Sequence, residues 1–200
     1  MTADVPDAPQ TPAAFAAREV AASYCSPALF NHCARSYAWA TAFAADAGHR
    51  YDEELLYVAA MLHDLGLTAA FDNHELPFEK AGGHVAWVFG AAAGWPPARR
   101  TRVAEVIVRH MWDDDVDPAR DLEGHLLELA TSLDISGRRA EQLDPWLRAA
   151  VLTRWPRLDL AEQFTACFID QSRRKPHSAA AAAVARGIAE RIAANPLDRG

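Results

Sequence analysis

The dipeptide His63-Asp64 closes an otherwise apolar run, Leu55-Leu56-Tyr57-Val58-Ala59-Ala60-Met61-Leu62, and is followed by Leu65-Gly66. Such surroundings rarely hold an adjacent His and Asp without a partner, because burying polar groups uncompensated costs roughly 2–7 kcal/mol. A bound metal ion is the natural compensation. Other ligand types stand at a distance: His32 upstream, and His84, His110 and Asp134 downstream. Written as helices, His63 shares a face with Leu56, Ala59 and Ala60, and His110 with Val103, Val106 and Ile107. Asp134 lines up with Leu127, Ala130 and Thr131, while Ser36 and Trp39 follow His32 one and two turns on. Each candidate thus faces the predicted core. His and carboxylate side chains converging from several helices are how a helical bundle builds a metal site.

Imidazole and carboxylate donors without cysteine suit Zn, Fe, Mn, Co or Ni. Two His and two Asp would hold one ion and leave room for water, whose pKa the ion lowers toward neutrality. His84 and His110 could bind a second ion, with Asp64 bridging; the alternative for each is a hydrogen-bonded packing residue. Glu79 either moves a proton in a dry pocket or is a glutamate favoured by the helix dipole. Arg35 is a candidate for holding a ligand carboxylate or a substrate anion, against a solvated position on its helix. Lys80 and Trp112 are candidates for binding substrate or supporting the ligands, against a solvated side chain for Lys80 and a packing residue for Trp112. His125 falls half a turn off the Asp134 face and is excluded as a ligand; His74 is either a residue of the pocket mouth or a solvated loop histidine, His49 and His177 are read as exposed, and Asp113-Asp114-Asp115 as a solvated charge run.

The elements that must position these residues are helical. Alternating β-branched runs are absent, while Ala, Leu, Arg and Glu, all good helix formers, are abundant. Eight or nine helices are expected: 12–23, 27–47 stopped by Gly48, 52–65 with Asp52 as N-cap and Gly66 as the terminating glycine, 77–93, 97–112, 118–135, 144–154, 159–172 and 178–195 with Ser178 as N-cap. Residues 1–12 read as a disordered N-terminal tail and 13–200 as one all-α domain, a helical bundle whose motif core spans about 27–136.

Composition narrows the function classes. The chain has 200 residues, half of them hydrophobic, and a formal charge of −7. An acidic balance argues against a nucleic-acid partner, which calls for a basic face. Three scattered cysteines without a CxxC pair argue against a disulfide framework. The N-terminus lacks the pattern of a signal peptide, and no run is long enough to span a membrane, so a cytoplasmic setting and no membrane partner are expected. The acidic balance and several tryptophans are compatible with a homodimer. No P-loop, GxGxxG or GxSxG occurs.

The ordered set His32, His63-Asp64 and Asp134 resembles the HD superfamily of metal-dependent hydrolases, whose central motif is close to Ala60-Met61-Leu62-His63-Asp64-Leu65-Gly66. The resemblance implies an all-α bundle of the HD type, with His32, His63, Asp64 and Asp134 as metal ligands, Zn foremost, Fe or Mn as alternatives. It places His84 and His110 where two-metal members carry extra histidines. Pro77-Phe78-Glu79-Lys80-Ala81-Gly82-Gly83, and Asn31-His32 followed by Arg35-Ser36, are similar to the cyanamide hydratase branch. The expected function is therefore a metal-activated water acting on a small, nitrogen-containing substrate, with Asp64 or Glu79 moving the proton. The alternatives are a phosphohydrolase acting on a nucleotide or phosphate ester, a di-iron oxygenase and a non-catalytic metal- or ligand-binding module. Phosphate sites gather Arg and Lys. Apart from Arg35, Lys80 and Arg109, few basic residues lie near the ligands in sequence, which tilts the expectation toward a small neutral substrate.

Overall fold

The structure, a computed structural model, describes residues 5–111 and 116–198. Trp112 and the acidic run 113–115 lie outside the described residues. Ten α-helices occur among those described, and no strand: α1 Pro12–Tyr24, α2 Pro27–Asp46, α3 Glu53–Leu62, α4 Phe78–Ala92, α5 Pro97–Arg109, α6 Leu122–Ser136, α7 Pro145–Arg154, α8 Leu160–Arg174, α9 Ala179–Ala185 and α10 Ile188–Ala193. The chain is thus an all-α bundle, as the sequence pattern requires. No helix among the described residues is long and apolar enough to cross a membrane.

Local chemistry sets most helix starts. Thr11, Ser26, Asp52, Asp121, Asp144 and Ser178 each accept a backbone N–H from the first turn that follows. Proline occupies the first turn of α1, α2, α5 and α7, where its missing N–H goes unneeded. Gly137 ends α6 in the left-handed region at φ 73°.

Two expectations fail for identifiable reasons. The expected helix 178–195 is two helices, because Gly187 turns left-handed at φ 73° between α9 and α10. The expected helix 52–65 stops at Leu62, and Leu65–Leu67 forms a separate 3-10 turn. Gly66 is not the left-handed terminator it was expected to be; the left-handed glycines among the described residues are Gly48, Gly94, Gly137 and Gly187. It serves close approach instead: a Cβ on Gly66 would overlap the Phe78 backbone carbonyl. A Cβ on Gly82 would lie 2.7 Å from the His63 carbonyl oxygen. The start of α4 therefore packs backbone-to-backbone on the chain around His63-Asp64.

Helix α2 runs along α6, α4 along α5, and α1 and α5 pack on α3. The main core fills the space among α1 to α6, around Trp39, Leu56, Leu62, Ile107 and Leu127. A smaller core, with Phe78, Leu160, Phe164, Phe168 and Ile192, lies where α8, α9 and α10 fold back. The candidate site lies where the two meet: the Phe164 ring stands 5.5 Å from the His32 ring and the Phe78 ring 5.8 Å from that of His110.

Candidate metal centre

Helix α2 presents His32, Arg35, Ser36 and Trp39 as one fully buried stripe at helical spacing. His63 caps the C-terminus of α3, and Asp64 follows it at φ −101°, ψ 8°, outside the helix. In a continuous helix adjacent side chains diverge by about 100°. The break lets both point to one place: His63 Nε2 lies 3.2 Å from Asp64 Oδ2, and His32 Nε2 lies 3.1 Å from His63 Nε2 and 3.3 Å from Asp64 Oδ2. One donor atom from each of these three residues falls within 4.8 Å of the others. His110, capping α5, brings Nε2 to 3.8 Å from Asp64 Oδ1.

Each histidine has its other ring nitrogen occupied by an oxygen acceptor. His63 Nδ1 donates to the Ala60 carbonyl at 2.8 Å, His110 Nδ1 to the Ile107 carbonyl, and His32 Nδ1 to Asp134 Oδ2 at 2.7 Å. Those bonds place the proton of each neutral imidazole on Nδ1 and turn every Nε2 inward. The Asp64 oxygens are buried without a hydrogen-bond partner. The cluster therefore consists of acceptors facing acceptors, which a divalent cation satisfies and a hydrogen-bond network does not. The residues fit a metal.

The electrostatics agree. Burial pushes the Asp64 carboxyl up, but His63 and His32 outweigh it and hold it below the carboxylate range. Burial lowers the His32 pKa, yet Asp134 and Asp64 beside it carry it above its ordinary value, so a positive charge is favoured at this point, a proton on Nε2 or a cation in its place. Burial, with the neighbouring His63, lowers His110 to about 3, which keeps its imidazole neutral.

Asp134, expected among the ligands, stands behind His32. Its Oδ1 receives Arg35 Nε at 2.8 Å and Trp39 Nε1 at 2.8 Å; its Oδ2 receives His32 Nδ1 at 2.7 Å and Arg35 Nη2 at 2.9 Å. A carboxylate offers about four lone-pair sites, and all four meet donors. Burial raises its pKa, but Arg35 and His32 reverse this and hold the carboxyl well below its usual range. Arg35 is fully buried and spans Asp134 and the carbonyls of Trp155 and Pro156.

The remaining candidates are scattered. His84 is exposed on the outer face of α4, beside Lys80, Trp87 and Arg109, and the structure does not bring it to the cluster. The reason is register: Gly83 faces Ala104 of α5, and the next residue points outward. The second-metal pair of His84 and His110 is therefore not formed. Lys80, expected near the substrate, is exposed on that same face and does not line the cavity over the cluster, because it stands one turn before His84 on α4. Glu79 is buried at the start of α4 with Oε2 unpartnered and its pKa raised by burial, but it is not part of the cavity wall. His49, His74 and His177 are exposed, and His125 bonds the Val116 carbonyl at 2.7 Å, away from the cluster.

A cavity of about 500 Å³ opens over His32, His63, Asp64 and His110. No motif announces its other walls. Apolar sides come from Met111, Ile135, Phe164, Phe168 and Ile188, and Arg138, Arg186 and Arg191 line it together with Glu128. Few basic residues were expected near the ligands. The fold supplies three from segments that no motif connects to His63-Asp64.

An all-α bundle with a buried His-His-Asp cluster under a cavity has the architecture of a metal-dependent hydrolase-type enzyme. The HD domain family matches residues 29–144, and the chain belongs to that family. It is similar to cyanamide hydratase DDI2 and cyanamide hydratase DDI3 of Saccharomyces cerevisiae, at 28% identity to each over 173 residues, 84% of this chain and 76% of each relative.

Proposed function

We propose that the protein hydrates or hydrolyses a small nitrogen-containing group, as in cyanamide, on a divalent metal held by His32, His63, Asp64 and His110. One observation carries this reading: three inward Nε2 atoms and an unpartnered carboxylate converge at the floor of a cavity. Similarity to two cyanamide hydratases supports the choice of substrate. Three imidazoles and a carboxylate suit zinc, with iron or manganese as alternatives.

When bound, the ion lowers the pKa of a water toward neutrality. The chain's own residues do the rest. Asp64 is the carboxylate at the floor of the cavity and takes the proton of the attacking water. For cyanamide, the water oxygen bonds to the nitrile carbon and both water hydrogens finish on nitrogen, giving urea. His32 is held by Asp134, which Arg35 and Trp39 hold in turn, so the imidazole keeps its orientation without help from a ligand. Phe164 and Phe168 keep the floor dry.

A second reading, a phosphohydrolase acting on a phosphate ester or nucleotide, is favoured by the arginines lining the cavity. Metal analysis of protein purified without chelators, with urea release from cyanamide and phosphate release from p-nitrophenyl phosphate, tests both. About one zinc per chain and chelator-sensitive urea release is the expected result. Metal-dependent phosphate release alone favours the second reading, and protein without metal or either activity overturns both.

A further inference from the structure

A second cavity, of about 250 Å³, shares no wall residue with the one over the cluster. Helix α2 separates the two. His32, Arg35, Ser36 and Trp39 form one of its faces; Phe30, Ala34 and Tyr37, half a turn round, form a wall of the second cavity. Tyr57 and Met61 of α3, Ala14 of α1 and Trp155 after α7 make the other sides, and Pro6, Asp7, Ala8 and Gln10 lie across it ahead of α1.

The floor is apolar and aromatic. Ala14, Ala34, Tyr37, Tyr57 and Met61 are buried, and no charged side chain is among them. The Tyr37 and Tyr57 rings meet edge to face at 4.9 Å. Charged residues stand at the exposed rim: Arg18 over the Phe30 ring at 5.6 Å, and Arg154 over the Trp155 ring at 4.7 Å and paired with Asp7 at 3.2 Å. An apolar cavity of about 150 Å³ already admits benzene. Ring edges and a thioether sulfur favour an aromatic guest, whereas a charged one would lose its hydration at this floor without a partner. The cover can open. Among the described residues, the segment 5–10 is held to the body by the exposed Asp7–Arg154 pair, which contributes little, and by the packing of Val5 and Ala8 on the core. Gln10 Nε2 is spent within the segment, on the Ala8 carbonyl at 2.9 Å.

Trp155 connects the two sides of α2. It lines this cavity, and its carbonyl accepts Arg35 Nη1 at 2.9 Å. Arg35 in turn holds Asp134, which orients His32. A guest packed against Trp155 restrains the carbonyl that anchors Arg35, and with it the aim of His32.

We infer that this cavity is a second binding site, for an uncharged aromatic molecule of one or two rings, and that its occupant strengthens the grip of the cluster on its metal. The site is independent of the reaction proposed above; its effect on the metal rests on the ligands named there.

The methionines report on the two cavities separately, because Met61 lines the second and Met111 the one over the cluster. Protein with isotope-labelled methionine methyl groups is titrated with indole and, separately, toluene and followed by NMR. Met61→Leu and Met111→Leu, swaps that conserve volume, assign the signals. Expected is a saturable shift of the Met61 methyl with Met111 unmoved. If Met111 moves and Met61 does not, the probe sits over the cluster; if neither moves, it has no seat. Either result overturns the site. Zinc affinity is then measured by competition with a chelator, with and without saturating indole. It should rise about fivefold or more, and zinc loading should raise indole affinity by the same factor. Zinc affinity that ignores indole overturns the coupling. Protein that binds indole at Met61 and takes no zinc overturns the coupling together with the metal and leaves the second site standing.

Discussion

Asp64 and Asp134 are both fully buried carboxylates beside His32, yet one has no hydrogen-bond partner and the other accepts four hydrogen bonds. Asp64 sits on the cavity side of His32, among inward-facing lone pairs. Asp134 sits on the far side, wrapped by Arg35 and Trp39. The difference separates two tasks that a list of acidic residues would merge. A carboxylate saturated by the protein holds the fold and aims its neighbour; one left unsaturated is available to a ligand. The same contrast holds for His110 and His84, one buried with its lone pair toward Asp64, the other exposed on the opposite face of α4.

The largest effect should come from Asp134→Ala. It strands the buried Arg35, and breaking a buried pair from one side costs about 3–5 kcal/mol. Thermal unfolding of metal-free protein should show the melting temperature falling by roughly 10 °C. Asp64→Asn should do the reverse: metal affinity and turnover drop by more than ~100-fold, while the metal-free variant melts no lower than the parent. If Asp64→Asn destabilises the metal-free protein as much as Asp134→Ala does, the division of tasks is wrong. Trp39→Phe removes one of the four donors to Asp134 and should cost about 1 kcal/mol in urea unfolding, with the metal content retained.

Asp121 extends the comparison to a less enclosed carboxylate. Burial raises its pKa, but Arg102, the Gly124 N–H and Arg109 together lower it below the ordinary value. A carboxyl whose folded pKa is depressed contributes stability above its unfolded pKa of ~3.9 and loses it as pH falls through the folded value. The stability gap between parent and Asp121→Asn should therefore be constant near neutrality and close as pH drops below about 4; a gap that persists at pH 2 would mean the group stabilises by packing. The smallest effect belongs to His84→Ala, which should leave metal content unchanged and stability within ~0.5 kcal/mol. Loss of half the metal in that variant would restore the two-ion site.

Several helix starts were legible because capping and proline chemistry act within a few residues, as at Ser26-Pro27 and Asp52, whereas α6, expected from 118, starts at Leu122 behind the Asp121 cap. The inward faces of His32, His63 and His110 followed from helical periodicity. The split at Gly187 was hidden because an isolated glycine in an alanine-rich run is tolerated by a helix as readily as it breaks one. Gly66 was misread because a tight contact with Phe78 and a helix cap both call for the same residue. The distinction between Asp64 and Asp134 depends on partners 95 to 102 positions apart, Trp39, Arg35 and His32, and no local pattern announces them. Arg186 and Arg191 in the cavity wall were invisible for the same reason: α9 and α10 reach the cavity only because they pack on α8 and α6.

The end of α3 between Leu62 and Asp64 has a further consequence. Because His63 and Asp64 converge across a single peptide link, they form a chelating dipeptide whose two donors hold each other at high effective concentration whatever the rest of the bundle does. His32 and His110 reach the same point only through the packing of α2 and α5. As the bundle loosens, the grip on a cation should weaken from the periphery inward, and the last two residues to let go are neighbours in the chain.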